Sequence, residues 1–158
     1  MKIVRSIDKK IWSKFVSSHP ESTVFHTLEM HEVFERTKMM NPQCIYLINK
    51  NEQILGLLQF VIIRQNNILP SYISSRSIIW GAPLIFESNN KSKITNILFK
   101  YYNKIAGNRV LFSEVRSSIF DLRNIPFSSK YGFYFEDHLN YLINFEKGKD
   151  ALWSNISK

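Results

Sequence analysis

The longest apolar segment of the chain runs from Ile54 to Arg64 and reads ILGLLQFVIIR. Its even and odd positions are both mostly apolar, with Gln59 as the main polar interruption, whereas a strand buried on one face only would alternate. A buried helix is the alternative, but the β-branched residues, Phe60 and the internal Gly56 favour a strand. The segment therefore predicts a strand that is covered on both faces.

A shorter apolar segment, from Gln43 to Ile48, precedes this strand. The residues between the two segments, 49–53, are all polar. A strand, a polar turn and a second strand in this order predict a β-hairpin. We expect the hairpin to form the centre of a sheet, with helices packed on both sides.

Amphipathic segments ahead of the hairpin predict two helices. The first spans about 8–17, with Asp8 as its N-terminal cap. A brief extended piece is predicted at 23–26. Thr27 then caps the second helix, which covers about 27–38.

The chain after the hairpin predicts an interrupted strand and a long helix. A polar loop at 65–75 leads into the apolar segment 77–86. Pro83 lacks the N–H that a central strand needs, so we expect this strand to be broken or bulged near Gly81. A strongly amphipathic helix then spans about 92–106.

The remaining elements are shorter. Gly107 is predicted to end the long helix in a left-handed conformation. A strand at 110–116, a single helical turn at 119–123 and a long strand at 135–145 follow. Asp150 caps a last helix of roughly two turns, which is too short to be stable alone.

Together these elements predict an α/β (α+β) fold with a mixed, mostly antiparallel central sheet and helices on both faces. The length of 158 residues suits one domain with a full core. We assign residues 1–148 to that domain. Residues 149–158 are interpreted as the start of a truncated C-terminal helix or linker.

Composition narrows the class of protein. The chain is 44% apolar, but no apolar run reaches the roughly eighteen residues that a membrane span needs. The first segment, 1–8, has no apolar signal core, so we expect a cytoplasmic protein. Cys44 is the only cysteine, and its place in an apolar strand predicts an inert, buried thiol.

The formal charge is +8, from 21 basic and 13 acidic residues. Such a charge favours RNA, anionic carriers or an acidic membrane surface as partners. The lysines are scattered, however, which is typical of a solvated surface. A basic RNA-binding domain is therefore the weaker alternative, and no DNA partner is expected.

Several short segments combine aromatic, proline or charged residues at the ends of the predicted elements. They are Trp12-x-x-Phe15-Val16 ahead of His19-Pro20, Val24-Phe25-His26, Trp80-Gly81-Ala82-Pro83, Glu114-x-Arg116, Tyr131-Gly132-Phe133, His138-Leu139-x-Tyr141-x-Ile143 and Leu152-Trp153. With the order of the elements, they resemble the acyltransferase fold called GNAT, and more specifically the first domain of the FemAB-like transferases. The likeness covers nearly the whole chain.

The resemblance implies transfer of an acyl or aminoacyl group to an amine acceptor, such as a peptidoglycan precursor of the cell wall. Members of that family use aminoacyl-tRNA or acyl-CoA as donor co-substrate. They contain two such domains in tandem, so a second GNAT-like domain, self-association and tRNA are the expected partners. A non-catalytic binding or assembly module with the same fold is the alternative.

The donor site of the GNAT fold normally uses a glycine-rich loop before a helix, whose N–H groups hold a pyrophosphate. The corresponding segment here, 86–92, contains no glycine and includes Glu87. We therefore expect no cofactor bound by this domain alone. No metal is expected either, because His26 and His31 are five residues apart and miss the spacing of a helical zinc pair.

Four residues are the candidates for a transferase site. Arg76, Trp80 and Arg116 are predicted to bind substrate, and His26 is predicted to accept a proton from the attacking amine. Each has a structural alternative: Trp80 in the core, Arg116 paired with Glu114, Arg76 in solvent, and His26 hydrogen-bonded within the fold.

Overall fold

The computed structural model describes residues 1–65, 70–86, 90–116, 132–134, 136, 146 and 148–154. Six strands, five α-helices and one 3-10 turn occur in this part of the chain. In chain order they are β1 (Lys2–Val4), α1 (Lys9–Ser18), the 3-10 turn (Val24–His26), α2 (Leu28–Arg36), β2 (Met40–Ile48), β3 (Ile54–Arg64), α3 (Ser71–Ser74), β4 (Ser75–Trp80), β5 (Leu84–Ile85), α4 (Lys91–Ala106), β6 (Phe112–Arg116) and α5 (Gly148–Ser154).

The strands form one sheet in the order β1-β2-β3-β4-β6, and β5 pairs with β3 beside β4. The pairs are antiparallel except β4 with β6, which is parallel. The predicted hairpin is β2–β3. This mixed, mostly antiparallel sheet confirms the predicted fold class.

Strand β3 is buried on both faces, as its sequence predicts. Leu57 packs with Trp12 and Val16 of α1 on one face. Leu58, its neighbour, packs with Leu98 of α4 on the other face. Both leucines are 0% exposed, so the helices cover the sheet from two sides.

Local hydrogen bonds explain where the first two helices begin. Asp8 accepts from the N–H groups of Lys10 and Ile11, and Thr27 accepts from the N–H of Met30. Each side chain satisfies N–H groups that have no partner within the helix, which typically stabilises a helix by about 1 kcal/mol. The predicted caps are therefore confirmed.

Two local predictions are wrong. Residues 24–26 form a 3-10 turn rather than an extended piece, because the His26 side chain accepts from the N–H of Thr23 while the His26 N–H donates back to the Thr23 carbonyl. Gly107 is right-handed, with φ −53° and ψ −37°, and its N–H continues the α4 ladder to Asn103.

The helical turn predicted at 119–123 and the strand predicted at 135–145 lie outside the described residues. The last predicted helix is present as α5. No helix in the described ranges has both the length and the hydropathy to cross a membrane.

Candidate active site

The parallel strands β4 and β6 are paired from Arg76, opposite Phe112, onwards. Their register ends with Trp80 opposite Arg116, and the N–H of Gly81 donates to the Arg116 carbonyl at 2.6 Å. Gly81 has φ +87°, a left-handed conformation that costs other residues free energy. The chain then re-enters the sheet as β5, which pairs only with β3 within the described structure.

This interruption confirms the broken strand that Pro83 and Gly81 predict. Within the described residues β5 pairs with β3 and not with β6, so the sheet is interrupted after Trp80. Phe86 donates its N–H to Leu55 of β3, so Ile85, one residue earlier, directs its backbone groups to the opposite side. We call the interruption between Trp80 and Leu84 the strand break.

His26 lies directly against the break. Its Nε2 is 2.8 Å from the Ala82 carbonyl, and its Nδ1 accepts from the Thr23 N–H at 3.0 Å. These partners assign the neutral tautomer with the proton on Nε2. A methyl group added to Gly81 would lie 2.6 Å from the His26 ring, which shows how closely the ring fills the bend.

This geometry favours a structural role for His26, hydrogen-bonded within the fold, over a role as the proton acceptor of the reaction. The residue is 2% exposed, and burial lowers the pKa of its imidazole, against the opposing effect of the hydrogen bonds. Neither ring nitrogen faces a position that a substrate can reach. His26 connects the 3-10 turn to the strand break and fixes the conformation of the chain there.

Trp80, the last residue of β4, is the middle ring of a stack of three aromatic side chains. The ring centroid of Phe25 lies 5.9 Å from that of Trp80, and the ring centroid of Phe34 of α2 lies 5.0 Å from it. The planes are within 17° of parallel. Trp80 stays partly exposed, so it is an aromatic surface residue beside the strand break rather than a fully buried core residue.

A cluster of three charged residues lies beside Trp80. Glu114 of β6 contacts Arg116 at 2.6 Å and Arg76 of β4 at 3.5 Å. The pair of Arg116 with Glu114, which was the structural alternative for Arg116, is therefore present. However, the single negative charge of Glu114 does not neutralise two guanidinium groups. The cluster keeps a charge of +1, and the Arg116 side chain is 52% exposed.

Arg76, Trp80 and Arg116 share one face of the sheet. Arg76 and Trp80 are four residues apart on β4, so their side chains point to the same face of the sheet. Arg116 is the register partner of Trp80 on β6. The structure thus brings the three predicted substrate-binding residues together, with His26 behind the strand break. We call the surface of Arg76, Trp80, Glu114 and Arg116 the β4–β6 patch.

The other described histidines are also occupied. His19 bonds the Ile85 carbonyl through Nε2 at 3.0 Å and accepts from the Glu21 N–H through Nδ1. The His31 Nδ1 lies 3.6 Å from Cys44 Sγ, and its Nε2 lies 3.5 Å from a Glu35 carboxylate oxygen. Among the residues whose positions are described, no group of three His, Cys, Asp or Glu side chains is arranged to bind a metal.

Two features of the site were missed by sequence reasoning. The contact of His19 with β5 joins residues 66 positions apart, and no sequence pattern signals it. The second is the contact of Glu114 with Arg76, which joins β6 to β4 across 38 positions. The pair of Glu114 with Arg116 was one of the sequence-based alternatives, because residues two apart on a strand point to the same face.

The comparisons with solved structures identify the fold. An aminoglycoside antibiotic 6'-N-acetyltransferase of Acinetobacter haemolyticus has a TM-score of 0.62 at 12% identity, over 91% of this chain and 98% of that one. A ribosomal-protein-alanine N-acetyltransferase of Brucella melitensis biovar Abortus 2308 has a TM-score of 0.58 at 9% identity, over 92% and 100%. An aminoglycoside N-acetyltransferase in complex with CoA has a TM-score of 0.57 at 11% identity, over 90% and 92%.

The chain therefore has the fold of GNAT acyltransferases. No family model and no curated protein matches its sequence. The finer resemblance to the FemAB-like transferases stays a prediction.

The described residues fit coenzyme A poorly. A pyrophosphate needs close approach to backbone N–H groups, and residues 86–90 between β5 and α4 contain no glycine. At the first turn of α4, Lys91 Nζ lies 3.4 Å from a Glu21 carboxylate oxygen, so its charge is already paired with a carboxylate.

Proposed function

We propose that the chain is the acceptor-side domain of an N-acyltransferase of the FemAB-like kind, and that the β4–β6 patch binds an amine acceptor that also carries an anionic group. The observation that carries the proposal is the position of that patch beside the interruption of the sheet after Trp80. Trp80 is partly exposed there, and the side chain of Arg116 is 52% exposed.

The charge of the patch supports the acceptor class. An arginine fork binds carboxylates and phosphates through two parallel hydrogen bonds, whereas an acceptor that is only cationic would be repelled by the net charge of +1. Peptidoglycan precursors carry carboxylates and phosphates beside a free amine. They satisfy both requirements, and they are the acceptors that the resemblance implies.

The proposed reaction is attack of the acceptor nitrogen on an activated acyl or aminoacyl carbonyl. A C–N bond forms, and the C–O bond of an ester or the C–S bond of a thioester breaks. The leaving group departs as an alcohol or a thiol, and the amine loses a proton to water or to that leaving group. The carbonyl belongs to aminoacyl-tRNA or to acyl-CoA.

Positioning is the contribution that the described residues make to this reaction. His19, His26 and His31 each have both ring nitrogens engaged, so none of them serves as the general base. Holding an amine beside a carbonyl raises the rate without a covalent nucleophile, so the pH profile should follow the amine's own pKa rather than that of His19, His26 or His31.

The proposal is tested by calorimetric titration of the chain with a soluble peptidoglycan precursor and with acetyl-CoA. We expect saturable heat with the precursor, at least tenfold weaker binding in Arg116→Gln, and no change in the matched control Arg36→Gln, which alters an exposed arginine of α2. No heat with either compound would refute the proposal.

The second candidate function is a non-catalytic binding or assembly module. The occupied histidines and the loop without glycine favour it. It predicts that the precursor binds but that no acyl product forms with acetyl-CoA or with aminoacyl-tRNA, as measured by mass spectrometry of the acceptor.

A further inference from the structure

Three exposed apolar residues lie together at the end of the sheet where β4 and β6 begin. Ile73 of α3 is 45% exposed, Leu111, just before β6, is 63% exposed, and Phe112, the first residue of β6, is 46% exposed. The Leu111 N–H donates to the Ser75 carbonyl at 2.8 Å, and Phe112 is the register partner of Arg76. Ile73 lies two residues before Ser75, so the three residues are neighbours. We call them the apolar tip.

Three basic residues lie at the same end of the sheet. Lys38 lies between α2 and the start of β2, Lys104 is in the last turn of α4, and Arg109 is in the turn that joins α4 to β6. All three are exposed. Within the part of the chain that the structure describes, no carboxylate lies at ion-pair distance from any of them. This end of the molecule therefore presents three unneutralised cations.

Acidic residues are absent from the segments that meet at this end. The ranges 37–40, 70–75 and 104–113 contain no Asp or Glu. Along the chain, the next acidic residues are Glu35 and Glu114. Glu35 lies 3.5 Å from the His31 ring, and Glu114 contacts Arg76 and Arg116. The electrostatic potential around the apolar tip is therefore positive, although the charges of the whole chain are scattered.

Exposed apolar residues among cations fit an anionic lipid surface. Apolar side chains enter the interface of a bilayer, while lysine and arginine stay at the negative head groups. A protein partner is disfavoured by area, because three side chains offer on the order of a few hundred Å² and a stable interface buries about 800 Å² on each partner. A nucleic acid would use the cations but leave the aliphatic side chains of Ile73 and Leu111 in water.

We infer that this end of the molecule docks peripherally on an anionic lipid bilayer. The apolar tip enters the interface, and Lys38, Lys104 and Arg109 lie against the head groups. Phe112 is four strand residues from Arg116, a distance of about 13 Å, so docking leaves the strand break away from the bilayer. The inference does not depend on the proposed function, because no residue of the β4–β6 patch takes part in it.

Co-sedimentation of the full chain with lipid vesicles tests the inference. We expect saturable binding to phosphatidylcholine vesicles that contain about 30% phosphatidylglycerol, and about tenfold weaker binding to phosphatidylcholine alone. Single-stranded RNA, followed by electrophoretic mobility shift, and self-association, followed by analytical ultracentrifugation, are the competing outcomes. Equal binding to both kinds of vesicle would overturn the inference. So would RNA binding or self-association without binding to the anionic vesicles.

Two variants, each with a matched control, assign the contacts. Leu111→Ser should weaken binding to the anionic vesicles about fivefold or more, whereas Val33→Ser, which alters a valine of α2 that is 54% exposed, should not change it. Arg109→Gln should weaken binding about fivefold, and Arg36→Gln should not. All four positions are exposed, so the variants should fold. Unchanged binding in both Leu111→Ser and Arg109→Gln would contradict the assignment.

A fluorescent label shows whether the apolar tip enters the bilayer. Leu111→Cys is labelled with a thiol-reactive dye whose emission depends on polarity, and Cys44, which is 5% exposed, stays unlabelled in the native chain. We expect a blue shift of the emission when anionic vesicles are added, and no shift for the same dye on Val33→Cys. A shift at both positions, or none at Leu111→Cys, would overturn the inference.

Discussion

The substitution Gly81→Ala tests whether His26 and the strand break form one structural unit. Gly81 has φ +87°, and a β-carbon at this position would lie 2.6 Å from Cε1 and 2.9 Å from Nε2 of His26. The ring cannot retreat without losing its bonds, because Thr23 holds Nδ1 and the Ala82 carbonyl holds Nε2. The substitution therefore forces a choice between a strained backbone and a displaced histidine.

The expected cost has two parts. A left-handed conformation costs an alanine about 1–2 kcal/mol. Displacing His26 leaves the buried Ala82 carbonyl without its donor, which adds about 1–3 kcal/mol. We therefore expect Gly81→Ala to lower the free energy of unfolding by about 3 kcal/mol.

Urea denaturation followed by circular dichroism at pH 7.5 measures this change, and Gly132→Ala is the matched control. Gly132 has φ +75° but no atom within 4 Å of an added β-carbon. It therefore has only the backbone cost, and the two variants should differ by about 2 kcal/mol. Equal losses in the two variants would refute the role assigned to His26.

Three further predictions concern titration, reactivity and binding. Burial lowers the pKa of both His26 and His31 below the usual 6.5, so the unfolded chain binds more protons than the folded chain. The free energy of unfolding should therefore fall as the pH drops below about 6.5, by up to about 1.4 kcal/mol per pH unit for each histidine. Urea midpoints that stay constant between pH 7.5 and 5.5 would contradict this. Burial raises the pKa of the Cys44 thiol to about 12. Iodoacetamide should therefore leave the thiol of the native chain unmodified and alkylate the thiol of the chain unfolded in urea, as measured by mass spectrometry. Rapid alkylation of the native chain would show that the thiol is accessible. In any transfer assay, Arg116→Gln should raise the KM for an anionic acceptor at least tenfold with little change in kcat, and an unchanged KM would remove Arg116 from the acceptor site.

The sheet could be predicted from sequence because its signals are local. The segment from Ile54 to Arg64 is apolar at both even and odd positions, and β3 is indeed buried on both faces. Pro83 and Gly81 predict an interrupted strand because one lacks an N–H and the other permits a positive φ. These properties belong to single residues, so they need no knowledge of distant contacts.

The site was predicted only in part, because its geometry depends on distant pairs. The placing of Arg76, Trp80 and Arg116 on one face requires the register of β4 with β6, and the sequence does not contain it. The prediction that His26 accepts a proton considered only its residue type. Its partner Ala82 is 56 residues away, and that bond decides between a base and a structural histidine.

The most direct test of the acyl-transfer account is the indole N–H resonance of Trp80 during titration with a peptidoglycan precursor. The chain has three tryptophans, and their indole signals are assigned by single Trp→Phe variants. Trp12 is an internal reference, because its Nε1 donates to the His26 carbonyl inside the fold. We predict a saturable shift of the Trp80 indole and of the Arg116 amide, with the Trp12 signal unchanged. A Trp80 signal that stays fixed at a saturating concentration of precursor would contradict the assignment of the β4–β6 patch as the acceptor site.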